Sequence, residues 1–105
     1  MQERMIKHVV CWKLYEEASG RSKMKNAELI RQRLLDLKNK IPKIRKIEAG
    51  INAPDASSDN YDVVLITEFE SVEDLHFYRD HPDHRAFVEF IHPLRSHKVA
   101  VDFEF

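Results

Sequence analysis

Hydrophobic positions recur along this chain with two periods, and the switches between them mark out its elements. Ile6, His8, Val10, Trp12 and Leu14 fall on one side of an alternating run whose other side carries Val9 and Cys11, bracketed by Lys7 and Lys13. A period of two predicts a strand, and apolar character on both sides predicts cover on both faces. Tyr15 to Arg21, which holds Gly20, reads as a loop. The period then changes. Ala27, Ile30, Leu34, Leu37 and Ile41 recur at steps of three and four, which predicts a long helix with Ser22 as N-cap, ended by Pro42. Arg31, Gln32, Arg33, Asp36, Lys38 and Asn39 supply its wet side.

Alternation returns over Ile44 to Ile51, a weaker and more edge-like strand, and again over Tyr61 to Phe69, the strongest one, apolar on both faces. Ala53 to Asn60 between them is small, polar and turn-rich, a flexible connection placed to form a lip over a pocket. Ser71-Val72-Glu73-Asp74 has the shape of a capping box and starts a short helix on which Val72, Leu75 and Tyr78 share the inward face. Pro82 stops it and begins another, with Asp83 in the first turn and His84, Phe87 and Ile91 at helical steps toward the core. In the last strand, Lys98 to Phe105, Val99, Val101, Phe103 and Phe105 alternate with Lys98, Ala100, Asp102 and Glu104.

Strand, long helix, strand, strand, short helix pair, strand is the order of an α+β, ferredoxin-like fold, a four-stranded antiparallel sheet with its helices on one face. Central strands that are apolar on both sides leave the second face to be covered. This predicts a homodimer in which two sheets pack face to face about a two-fold axis.

Length and charge narrow the picture. A chain of 105 residues is one domain, with its core over residues 5–105. Seventeen basic residues nearly cancel eighteen acidic ones, so the charge footprint of a nucleic-acid binder is missing. No stretch approaches the roughly 20 apolar residues of a membrane span, and Met1 to His8 is charged where a signal peptide would be apolar, so the protein is expected in the cytoplasm. Met1 to Met5 is expected to fray. Cys11 is the only cysteine, which excludes an internal disulfide and suits a small buried strand residue.

Candidate chemistry concentrates in Tyr78-Arg79-Asp80-His81-Pro82-Asp83-His84. Two consecutive helices turn a phenol and an imidazole inward near a shared junction. His84 is a usable general base at neutral pH, and Tyr78 can orient it or polarise a carbonyl, so the pair could remove an acidic proton between two carbonyls. His8, Val10, Trp12 and Leu65 on the strands, with His81 and Phe87, are the expected walls of a substrate pocket between sheet and helices. The competing reading makes Tyr78, His84 and His8 core residues with local partners, and His81 a corner residue fixed by the proline after it. A metal site is not expected, because Pro82 breaks the helix between His81 and His84 and no Cys pair or His-Glu-x-x-His accompanies them. No glycine-rich phosphate loop and no nucleophile with a base beside it stand out, and no cofactor is expected.

Met5-Ile6-Lys7-His8-Val9-Val10, the Tyr61 to Phe69 strand running into Glu70-Ser71, Tyr78 through His84 with Val88-Glu89-Phe90, and Val101-Asp102-Phe103 together resemble the stress-responsive A/B barrel domain (Dabb) family. The resemblance spans Met5 to Phe105 and implies a dimeric α+β barrel. One branch of that family is a plant polyketide cyclase, which closes an aromatic ring by aldol condensation without a cofactor. Its Tyr-x-x-His-Pro-x-His pattern and its strand histidine imply roles for Tyr78, His84 and His8. Trp12, bulky for a pocket wall, and the charges of Arg95 and Lys98 depart from that pattern. Two functions follow as expectations: a dimer that binds a small, partly apolar organic molecule, with cofactor-free, cyclase- or lyase-like acid–base chemistry as its sharper form, or a non-enzymatic stress-responsive scaffold dimer with a filled core.

Overall fold

The computed structural model of the chain describes residues 4–105. Alternation becomes the strand β1 (Ile6–Leu14), whose even-numbered residues are buried and whose odd-numbered ones are half-buried. Where a loop was expected, the two-residue strands β2 (Glu17–Ala18) and β3 (Arg21–Ser22) form a tight hairpin. Its turn residues Ser19 and Gly20 both have positive φ, 52° and 75°, the backbone that a two-residue hairpin loop requires.

The long helix is α1 (Lys23–Lys40), and the Ser22 hydroxyl caps it by accepting from the Lys25 amide at 3.2 Å. Its apolar stripe, Ala27, Ile30, Leu34 and Leu37, is fully buried and its wet face is exposed. Asn26 is buried as well, which periodicity did not reveal. Its amide donates to the Ala18 carbonyl at 3.1 Å and accepts from Arg21 Nε at 2.7 Å, tying the hairpin to the helix. Asn26→Ala is expected to strip buried groups of their partners and lower stability by about 1–3 kcal/mol, read as a shifted denaturant midpoint at unchanged slope.

β4 (Lys46–Ile51) and β5 (Val63–Phe69) follow, then α2 (Val72–Asp80), α3 (Pro82–Ile91) and β6 (Arg95–Glu104). The sheet order is β4-β5-β1-β6, antiparallel throughout, so β1 and β5 are central and β4 is an edge strand, as its weaker pattern suggested. This is the ferredoxin-like α+β fold. The core lies between the sheet and the helices, where Trp12, Leu65 and Phe69 meet Ile30, Leu34, Leu75 and Phe87. Val72 is an exception to the expected inward face, standing exposed in the first turn of α2.

β6 departs from a plain edge strand in two ways. First, its register with β1 shifts: Lys13 faces His97 but Leu14 faces Arg95, so Ser96 is the extra residue of a bulge, and its hydroxyl bonds to the Lys13 carbonyl at 3.2 Å. Second, β6 turns Lys98, Ala100 and Asp102 to the helix side and Val99, Val101 and Phe103 to the open side. On that open side Val99 is 50%, Val101 62% and Phe103 44% exposed, beside Val9, Cys11, Val64 and Ile66. Cys11 is therefore half-buried on the open face rather than buried in the core. The expectation of a frayed start lies, for residues 1–3, outside the described residues. Met5 is paired to Phe105 by two backbone hydrogen bonds of 3.2 and 3.0 Å. No helix among the described residues is long and apolar enough to cross a membrane.

Candidate functional site

The junction of α2 and α3 is built by its end groups. Ser71 caps α2 by accepting from the Asp74 amide at 3.1 Å, and Leu75 and Tyr78 bury its inner face against β5. Pro82 occupies the first turn of α3, where its missing amide proton costs nothing. His81 caps that helix, its Nδ1 accepting from the Asp83 amide at 3.1 Å, while its ring meets Phe77 edge-on at 5.8 Å. His81 does not line the cavity described next. The corner role, not the pocket role, is the one its geometry serves, because its Nδ1 is engaged in capping α3 and its ring packs on Phe77.

Seven other residues singled out in the sequence border one hollow of about 280 Å³. Trp12, Leu65 and Phe87, with Val10, form its apolar wall, and Tyr78, His84 and His8 its polar end. A void remains because of what faces the helices from β6. Ala100 lies opposite Val10 and fills little space, and of its inward neighbours Lys98 borders the hollow while Asp102 is held by His8 and Arg79. The loop at Ala53 to Asn60 is not a lip over this cavity. Ala53, Pro54, Ala56 and Ser58 instead border a separate hollow of about 300 Å³ against Met24 and Ala27.

The Tyr78 and His84 rings lie 4.4 Å apart between centroids, tilted by 48°, and His8 meets Tyr78 edge-on at 5.9 Å. The His84 Nδ1 is 3.0 Å from the Arg79 carbonyl oxygen, one of the carbonyls left unpaired at the end of α2. A carbonyl only accepts, so Nδ1 carries the proton and the neutral ring presents a lone pair at Nε2. Burial holds the His84 imidazole below its usual range, with the Arg79 bond acting in the opposite sense. Burial also raises the Tyr78 phenol, which therefore stays protonated and able to donate. Its hydroxyl has no hydrogen-bond partner among the described residues, yet no fully buried side-chain polar atom there is unsatisfied, so the hydroxyl opens onto the cavity.

Sequence reasoning missed the partners of His8. Its Nδ1 donates to Asp102 Oδ1 at 2.5 Å, and Arg79 donates to Asp102 Oδ2 at 2.9 Å, a chain that joins β1, β6 and α2. Burial lowers the His8 imidazole despite that carboxylate. The only available signal was parity, since Asp102 shares the inward side of β6 with Lys98 and Ala100. Arg79, Val88, Ile91 and Arg95 also border the cavity without having been singled out as its lining. Among the described residues, no group of three or more His, Cys, Asp or Glu is placed to hold a metal ion.

Solved structures share this architecture over nearly the whole chain. A dimeric protein of unknown function and ferredoxin-like fold from Bacteroides fragilis NCTC 9343 is 31% identical, with 96% of each chain covered and a TM-score of 0.84. A dimeric ferredoxin-like protein of unknown function from Thermobifida fusca YX is 25% identical, with 100% of this chain and 94% of that one covered and a TM-score of 0.82. A hydroxynitrile lyase from Passiflora edulis, 18% identical, shares the fold with a TM-score of 0.81 over 99% of this chain and 95% of its own. No curated protein matches the chain in sequence. The model of the stress responsive A/B barrel domain family matches residues 6–105, and the chain belongs to that family.

Proposed function

We propose that the protein is a homodimer, joined through the open faces of its sheets, that binds a small, partly apolar organic molecule in the cavity beside Tyr78 and His84 and moves a proton on it without a cofactor. The observation that carries this reading is the hollow itself, about 280 Å³, bordered by an apolar wall and by the side chains of Tyr78 and His84. Its size lies near the lower end of the about 300–1,000 Å³ of small-molecule sites. A scaffold with a filled core, the rival reading, would have no such space.

In this reading His84 Nε2 takes the proton from a carbon between two carbonyls, and the Tyr78 hydroxyl donates to the carbonyl oxygen that gathers the resulting negative charge. An enolate formed in this way can attack a second carbonyl, the aldol step of a cyclisation. Asp102 orients His8 beside the pair, as a positioning group for the phenol. The dimeric relatives named above and the exposed Val99, Val101 and Phe103 support the assembly. The fold also serves a lyase, the Passiflora enzyme.

A direct test uses benzoylacetone, an apolar ring joined to an acidic carbon between two carbonyls. The single Trp of the chain, Trp12, stands in the cavity wall and reports occupancy through the NMR shift of its indole proton. Saturable perturbation of that signal, with faster exchange of the acidic proton in deuterated buffer, is expected. An unperturbed Trp12 and an unchanged exchange rate at millimolar probe would overturn the proposal.

A further inference from the structure

The cavity carries charge that the acid–base pair does not use. Three cations border it, Arg79, Arg95 and Lys98. Arg79 is neutralised by Asp102, whose second oxygen is taken by His8. Arg95 and Lys98 have no carboxylate partner among the described residues. Their placement together depends on the β6 bulge. Lys98 lies opposite Trp12 on the inward side, and strict alternation from there would send Arg95 to the open face with His97 and Val99. The extra residue at Ser96 returns Arg95 to the inward side, opposite Leu14. Lys98 feels the two guanidinium groups. Burial lowers the Lys98 ammonium below its usual range, and Arg95 and Arg79 push it further, with Asp102 acting in the opposite sense.

We propose that the ligand of this cavity is a small organic carboxylate, its apolar body against Trp12, Leu65 and Phe87 and its carboxylate held by Arg95 and Lys98. The inference rests on the proposed function of the cavity and adds the charge of the ligand and its orientation. A guanidinium offers a carboxylate two parallel donors and a lysine a third, so the pair suits a planar anion better than a neutral amide of the same shape. The ligand would then enter with its charged end at the β6 rim and its apolar end toward α3.

Benzoate and benzamide, matched in shape and different in charge, test this through the Trp12 indole shift. Benzoate is expected to bind at least about tenfold more tightly than benzamide at low salt, the range of one charge-assisted contact pair. Arg95→Met and Lys98→Met should each remove most of that preference and leave benzamide binding within about twofold of wild type. Lys25→Met, on an exposed turn of α1, should leave the preference intact. Equal affinity for the two probes, or a preference that survives the Arg95→Met/Lys98→Met double variant, overturns the carboxylate assignment while the cavity remains a binding site. If neither probe moves Trp12, the binding reading falls with it.

Discussion

Val101→Asp is expected to turn a dimer into a folded monomer. Val101 is 62% exposed on the open side of β6, opposite Val9 in the strand register and between Val99 and Phe103. In a lone subunit an aspartate there meets water, so the fold bears almost no cost. In a face-to-face dimer, two-fold symmetry buries two such carboxylates in an apolar contact, at several kcal/mol for each unpaired ion. The dissociation constant should rise by at least about a thousandfold, equivalent to about 4 kcal/mol. Sedimentation at micromolar concentration should show wild type at twice the subunit mass and the variant at the subunit mass, with unchanged circular dichroism. Val72→Asp supplies the control, another exposed valine, whose replacement sits at the favourable end of α2 and should leave the dimer intact. A wild-type protein that sediments as a monomer would refute the sheet-to-sheet assembly.

His84→Gln should abolish proton transfer while barely touching stability. Removing a general base costs typically about 10²–10⁴ in rate. Gln keeps a donor for the Arg79 carbonyl, and a side chain facing a hollow gives up little packing, so the stability change should stay under about 1 kcal/mol, against the about 2 kcal/mol or more of a core truncation. The pH dependence adds a second mark. His84 and His8 both have folded-state values below the usual 6.5. Between those values and 6.5 the unfolded chain binds more protons. Their contribution to stability is therefore fully present above about 6.5 and lost as pH falls through the folded-state values. Proton exchange on the probe should rise through the His84 value and level off above it, and the variant should lose that rise along with part of the stability slope. A full core-residue loss of stability, with an imidazole that does not titrate between pH 5 and 8, would make His84 a packing residue.

Much of the fold is written in local pattern. Ser22 and Ser71 announce their helices, Pro82 separates α2 from α3, and alternation puts His8, Val10 and Trp12 on one side of β1 because side-chain parity follows directly from strand geometry. What escaped the reading is non-local or too short to be periodic. The β2–β3 hairpin has two residues per strand, fewer than alternation needs to register. Asp102 finds His8 across 94 positions of the chain, and the bulge at Ser96 appears only once β6 has paired with β1. Sequence alone allowed His81 either a place in the pocket wall or a corner role fixed by Pro82. Its Nδ1 caps α3 by accepting from the Asp83 amide, a local bond that spacing does not encode.

In evolutionary terms, the strand β6 separates two selection pressures by parity. Arg95, Lys98 and Ala100 border the cavity, and Val99, Val101 and Phe103 lie on the opposite side of the sheet. Substitution at the first set can reshape or recharge the hollow without disturbing the outer surface, and drift in the second can retune that surface without touching the hollow. An insertion or deletion between Lys98 and Phe103 exchanges the two surfaces beyond it at once and is the change that selection should tolerate least.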